Sequence, residues 1–445
     1  MSDLLGIGAS GVRAYQAALT TTSENIANAG NAGYARRTTT LREIVAPGAM
    51  GQTKLNGAGV AIGGIARASD PLRAAEVRTA GAELARTETS AVWLDRIDGA
   101  LTGNRLGERL TDFFTAATQV AADPSATAPR AQMLENATTL AASFTATGRA
   151  LASAAADIES AADAAASELN RLNEGLAAVN SGLARAAPGT GSHAGLLDER
   201  DQLLEAMSAI TNLTVSFDSV GRATVRGGDG GPVLVSGDQA ALVTAVGNTG
   251  GAFSFAVHRG GETQALTPNG GALAGIAEGA QRIAAAREQL DTLAGDFTGA
   301  VNQVQAQGDD LFGQPGAAML ATGATATKIN VSLSDPRGIA AAGRDAGPRD
   351  NGNLAALTAA RDSGGFEAGV TALVAGNASA LAGRRLIADA QGAIHDSAVA
   401  ARDQVSGVNL DEEAVDLIRF QQAYQASSRV IQVSRDIFQS LLEIR

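Results

Sequence analysis

Apolar positions recur every seven residues along much of this chain, and its two ends carry the clearest runs. Leu410, Leu417, Tyr424, Ile431 and Phe438 are spaced seven apart, with Phe420 and Leu441 three residues after two of them. Ala423, Val430, Ile437 and Ile444 widen the same stripe. This is the period of a long amphipathic helix with a coiled-coil seam. Ser406-Gly407 breaks what precedes it, and Asn409 with Glu412 has capping-box spacing, so the helix is expected over 409–445. At the other end Leu5, Val12, Leu19 and Ile26 also step by seven, with Tyr15 three after Val12. A helix over 3–28 follows, and the two ends read as partners for each other or for copies of each other.

Between them the pattern changes twice. A turn-rich stretch, Asn28 to Tyr34, leads into extended pieces around Thr38 to Leu41 and Val60 to Ile65. Asp70-Pro71 is a helix start, a capping residue followed by proline at the first helical position, and the helix should reach about Leu101. Another helix is expected over 107–122. Residues 129–187 read as helical, with Gly148 the one candidate break, and a short helix follows over 196–208. From 211 to 270 apolar and polar residues alternate between glycine-rich turns, as in Leu213-Val215-Phe217 and Phe253-Phe255-Val257. That is a small antiparallel β module. The helical period returns with Ile276, Ile283, Leu290, Phe297 and Val304. Residues 308–350 read mostly as loop, then come short helices over 352–361 and 365–375. A helix over 376–405 carries Ile387, Ile394, Ala401 and, past its end, Val408.

The expected fold is therefore mainly α with a small antiparallel β insert. Three nested domains are expected: a terminal coiled coil (1–40 with 406–445), a long-helix bundle (41–209 with 271–405) and an inserted β domain (210–270). The heptads of the middle helices read as intramolecular core. Those of the ends do not, because neither end has much globular sequence to pack against. Leu5, Val12, Tyr15, Leu19, Ile26, Leu410, Leu417, Phe420, Tyr424, Ile431, Phe438 and Leu441 are thus the expected assembly interface.

Composition narrows the partners. Net charge is -12 and the pI is about 4.8, which disfavours nucleic acid. Cysteine is absent, so disulfides, thiolate nucleophiles and cysteine metal sites are excluded. No apolar run approaches the ~20 residues of a membrane span. The start of the chain lacks the pattern of a cleaved secretory signal.

Candidate chemistry is thin. Gly6-Ile-Gly8-Ala-Ser-Gly11 matches a dinucleotide fingerprint, but no strand can precede it, and small residues on a helix instead mark a close neighbour. Gly227 to Gly231 reads as a hairpin turn. Asp309-Asp310 lacks metal-ligand spacing, and Asp411-Glu412-Glu413 sits where a helix N-terminus favours negative charge. Asp198-Glu199-Arg200-Asp201 reads as a solvated or salt-bridged face. His193, His258 and His395 are dispersed. No catalytic, cofactor or metal site is expected, and the chain does not read as an enzyme.

Two motifs carry a resemblance. Ser23-Glu24-Asn25-Ile26-Ala27-Asn28 with Gly33-Tyr34-Ala35-Arg36 resembles the N-terminal signature of axial flagellar proteins. Ser406-Gly407-Val408-Asn409-Leu410-Asp411-Glu412-Glu413 with Phe420-Gln421-Gln422-Ala423-Tyr424 is similar to their C-terminal signature, in the form closest to the flagellar hook-associated protein 1 family of hook–filament junction proteins. Leu196 to Leu203, and Gly270 to Leu273 leading through Asn302 and Gly308, are similar to interior segments of that family. The chain departs in one respect: only the loop 308–350 stands where better-known members carry a further outer domain.

The resemblance implies a structural protein that joins hook to filament by helical self-assembly. Export through the flagellar type III channel without a cleaved signal and an extracellular, flagellar location go with it. The implied partners are copies of itself, the hook protein, the second junction protein and an export chaperone at the C-terminal helix. Both terminal segments are expected to be mobile in a dilute monomer. Rival readings are another axial protein of hook or distal rod, a coiled-coil signalling scaffold, and an enzyme housed in the β insert.

Overall fold

The structure, a computed structural model, describes residues 2–31, 33–45, 57–247, 253–321 and 325–443. Helix α1 (Ser2–Asn28) opens the chain. Strands β1 (Arg37–Val45) and β2 (Gly57–Arg67) pair antiparallel from Arg37 opposite Arg67, a longer hairpin than the two extended pieces expected. Helix α2 (Pro71–Thr102) starts where its cap lies, the Asp70 carboxylate accepting from the Leu72 and Arg73 amides at 2.8 and 3.3 Å. Helices α3 (Leu106–Ala122) and α4 (Thr127–Arg185) follow.

Helix α4 runs unbroken for 59 residues, about 90 Å at ~1.5 Å per residue. Gly148 is no break; it is a contact. A side chain there would stand 2.9 Å from the Thr327 methyl. Helix α5 (Gly191–Ile210) begins five residues before the expected Leu196, because Thr190 caps it through the His193 amide at 3.2 Å.

Strands β3 (Leu213–Phe217), β4 (Ala223–Gly227), β5 (Val233–Ser236) and β6 (Gln239–Ala240) form one antiparallel sheet. Strands β7 (Leu242–Gly247), β8 (Phe253–Arg259) and β9 (Glu262–Leu266) form another. Their inward residues Ala223, Val225, Val243, Phe255 and Val257 are buried. Asparagines on α4 meet the strand backbone: Asn180 exchanges both bonds with Ala223 at 2.8 Å, and Asn170 does so with Val243 at 2.8 and 2.7 Å. Backbone groups that would otherwise be left unpaired are thereby satisfied.

Helix α6 (Gly271–Gln307) returns to the bundle. The loop after it is packed down, with Met319, Leu320 and Ile339 buried. Helix α7 (Gly352–Gly364) precedes α8 (Phe366–Ser406), which is one helix where a short helix and a longer one were expected. Gly376 lies inside it on an open face; glycine there costs about 1 kcal/mol of helix propensity and does not stop the helix. Helix α9 (Leu410–Glu443) ends the described chain.

The bundle core gathers Phe113, Phe114, Phe144, Phe297 and Phe366, five of the eleven phenylalanines, with ring centres from 5.2 to 6.3 Å apart. The heptads of α4 and α6 face this core, among them Leu151, Ile158, Leu172, Ile283 and Leu290. The same reading fails for α8. Ile387 and Ile394 are exposed, since α8 packs on α2 without closing over them.

Candidate assembly surface

Helices α1 and α9 pack along each other. On α1 the buried stripe is Gly11, Ala14, Ala18, Thr21 and Asn25, one residue earlier than the apolar series that starts at Leu5. Small residues explain the shift. A side chain at Gly8 would stand 2.8 Å from the Ile431 side chain and 3.3 Å from the Ser427 carbonyl oxygen; one at Gly11 would stand 2.6 Å from the Ser427 hydroxyl. Two of the dinucleotide-like glycines, Gly8 and Gly11, are therefore where α9 approaches, while Gly6 stands in open space.

The larger apolar residues flank this seam. Val12, Tyr15 and Leu19 on α1, and Leu417, Phe420, Tyr424 and Ile431 on α9, are half-buried. The Tyr15 and Phe420 ring centres are 6.5 Å apart. Leu5, Ile26, Leu410 and Phe438 face solvent, Leu410 at 54% and Phe438 at 59% exposure. The Leu441 side chain and Ile444 lie outside the described residues. Val415, Ile418, Val433 and Ile437 on α9 are exposed as well. Small residues thus line the α1 side of the seam, and several large apolar residues of both helices stay in solvent.

A buried polar latch closes the base of the pair. The Glu413 carboxylate, 1% exposed, accepts from Arg36 Nε at 2.6 Å and Asn25 Nδ2 at 3.0 Å. Asn25 also donates to the Arg37 carbonyl at 2.8 Å and accepts from the Arg37 amide at 3.0 Å and the Tyr34 hydroxyl at 2.8 Å. Glu412 and Asp416 add to the carboxylates around Arg36, at 3.1 and 3.7 Å. The hydrogen bond to Glu413, helped by these charges, raises the Arg36 guanidinium pKa further. Burial pushes the Tyr34 hydroxyl up to about 12, against the opposing pull of Arg37. The Arg36 amide donates to the Ser406 carbonyl at 2.8 Å, which fixes the break before α9. Asn409 caps α9 through the Asp411 amide at 3.0 Å.

A second ionic cluster ties the hairpin to α5. Asp198 takes Arg37 at 2.8 Å and Arg67 at 2.5 Å, and Asp201 takes Arg67 at 2.8 Å and Arg200 at 2.6 Å. The acidic run on α5 is salt-bridged, and its Asp198 and Arg200 are buried rather than solvated. Pattern reading gave Asn25, Tyr34 and Arg36 no role and read Glu413 only as charge at a helix N-terminus. All four belong to the two signatures, and the signal was there: polar residues that repeat no heptad, at the inner end of each terminal helix.

Among the described residues no group of three or more His, Asp or Glu is placed to hold a metal, and no helix is long and apolar enough to cross a membrane. His193 and His258 are occupied by the Val220 carbonyl and by Thr244 and Thr263.

This architecture, paired terminal helices on a long-helix bundle with a β insert, is that of an axial structural protein of the bacterial flagellum. The sequence profile of the flagellar basal body rod FlgEFG protein C-terminal region matches residues 402–444. That of the flagellar hook-associated protein FlgK helical domain matches residues 94–320, half of the chain, and the chain belongs to that family. It is 25% identical to flagellar hook-associated protein 1 of Escherichia coli (strain K12), with both chains covered end to end in an alignment of 551 positions. To the protein of the same name from Bacillus subtilis (strain 168) it is 24% identical, over 96% of this chain and 95% of that one. To that of Salmonella typhimurium it is 28% identical, over 75% of this chain and 62% of that one. The flagellar hook junction protein FlgK from Burkholderia pseudomallei shares the fold, with a TM-score of 0.50 and 22% identity over 56% of this chain and 47% of that one. The chain is a structural protein of the flagellum, at the hook–filament junction.

Proposed function

We propose that the α1–α9 pair is the element by which this chain assembles, and that its outward apolar face is buried by neighbouring copies. The observation that carries this is the inversion of the pair: small residues inside, Leu5, Leu410, Val433 and Phe438 outside. A monomer that exposes such a stripe gains apolar burial only in a stack. The contact between unlike surfaces of identical chains gives a helical tube where it does not close.

In this reading the terminal pair (1–40 with 406–445) lies innermost, the bundle (41–209 with 271–405) surrounds it, and the β insert (210–270) is outermost. Leu5, Val12, Tyr15, Leu19, Ile26, Leu410, Leu417, Phe420, Tyr424, Ile431, Phe438 and Leu441 make up the interface. The partners are the hook protein on one side and the second junction protein on the other. Before assembly an export chaperone covers the C-terminal helix, and the chain leaves through the type III channel uncleaved. The role is mechanical, without catalysis.

Changing Val433→Asp together with Ile437→Asp tests this. Both side chains face solvent, so the isolated chain should melt as the parent does, within about 0.5 kcal/mol. Cells carrying the pair should build hooks and shed unpolymerised flagellin. Normal motility would refute the proposal.

A further inference from the structure

An apolar groove of about 940 Å³ runs between the first turns of α2 and the later half of α8. Leu72, Thr79 and Ala80 line one wall, and Ile394, Ser397 and Ala398 the other. Ile394 is 60% exposed. It belongs to the series Ile387, Ile394, Ala401, of which Ile387 is exposed too. The charged groups in the groove are Glu76, Glu83 and Arg73, and Arg73 is held by Glu76 at 2.9 Å. Among the described residues Glu83 pairs only with Arg86, at 3.8 Å, and Arg86 is engaged by Glu278. The Gln391 side-chain oxygen is buried with no hydrogen-bond donor among the described residues. The groove is apolar and acidic.

A surface with the opposite needs is on the same chain. Val415, Ile418, Val433 and Ile437 form the face of α9 half a turn away from Tyr424 and Ile431, at 3.6 residues per turn. From Leu417 to Arg435 this helix carries Arg419, Arg429 and Arg435 and no acidic residue, in a chain of net charge -12. Arg419 reaches back to Asp416 at 3.1 Å, while Arg429 makes no ion pair among the described residues.

We propose that the groove between α2 and α8 receives the outward face of α9 from a second copy of this chain. This rests on the assembly reading above and specifies where a neighbour's terminal helix is seated. Apolar stripe meets apolar wall, and Arg419 and Arg429 meet Glu76 and Glu83. The two surfaces differ and sit on every copy, so each seated helix leaves a groove free for the next, as an open stack requires.

The absence of cysteine makes the test clean. Ser397→Cys and Val433→Cys are placed in one chain, and flagella from motile cells are treated with a bifunctional maleimide. A ladder of linked copies is expected, with nothing beyond dimers from either single variant. Thr79→Cys with Ile437→Cys should repeat it. Motile cells whose flagella give no ladder from either pair overturn the proposal. Where a cysteine pair prevents incorporation, charge exchange decides. Glu76→Arg with Glu83→Arg, and Arg419→Glu with Arg429→Glu, should each cut incorporation about tenfold, and all four together should restore it. Failure to restore overturns the proposal. The assembly reading is scored separately, by filament attachment in the Val433→Asp, Ile437→Asp variant.

Discussion

In the bundle Phe297 is fully buried and lies against Phe113, Phe114, Phe144 and Phe366, with long leucine and isoleucine series of α4 and α6 closed around them. In the terminal pair the buried stripe is Gly11, Ala14, Ala18, Thr21 and Asn25, while Leu5, Leu410, Val433 and Phe438 face solvent. Both regions are built from helices with a seven-residue apolar period. The bundle spends its large side chains on itself. The terminal pair keeps its helices close with small residues and a charged latch, and leaves several large apolar side chains in solvent. Apolar period alone therefore does not say whether a stripe is buried; the size of the residues beside it bears on that.

That contrast can be broken at graded points. Phe297→Ala should cost about 3–5 kcal/mol and lower the melting midpoint of the whole bundle; a melt that barely moves would mean the aromatic cluster is not what closes the core. Glu413→Ala strips Arg36 and Asn25 of their shared acceptor. It should cost about 2–3 kcal/mol, confined to α1, α9 and the hairpin. Amide exchange should quicken in those elements and stay unchanged in α4 and α6; a global loss of protection would make the latch part of the bundle core. Gly8→Val presses on Ile431 and the Ser427 carbonyl. Loosening of the pair by about 1–2 kcal/mol is expected, read by the same exchange experiment.

A pH dependence gives a further handle on the latch. Tyr34 has an ordinary pKa of 10 and is held at about 12 in the folded chain. Between those values the folded state keeps a proton that the unfolded state has lost, so stability falls as pH rises through the window and this contribution is whole below pH 10. Denaturant midpoints taken across that window should decline, and Tyr34→Phe should flatten that share of the decline.

Most elements were legible in the residues because their signals are local. Asp70-Pro71 marks a helix start through its own cap. Alternation from Leu213 to Val257 marks strands by the pleat. The two terminal signatures carried the family resemblance, which the FlgK helical-domain profile supports from the interior, at 94–320. Other features were not legible, because they depend on what packs alongside. Gly148 looked like a break and is a contact with Thr327. Gly376 looked like a boundary and lies inside α8. Ile387 and Ile394 looked like core and are exposed.

The sequence by itself determined where most helices and strands form, that a seven-residue apolar period runs along each end, and which family its motifs resemble. Those properties follow from the order of side chains along one segment. The tertiary structure alone decided which face of each terminal helix turns inward. Two helices approach along the line of least bulk, so Gly8 and Gly11 set the seam, although the Leu5 series is more apolar. It also decided that Glu413 is buried, because only folding brings Asn25, Tyr34 and Arg36 to a carboxylate more than 370 positions further along the chain.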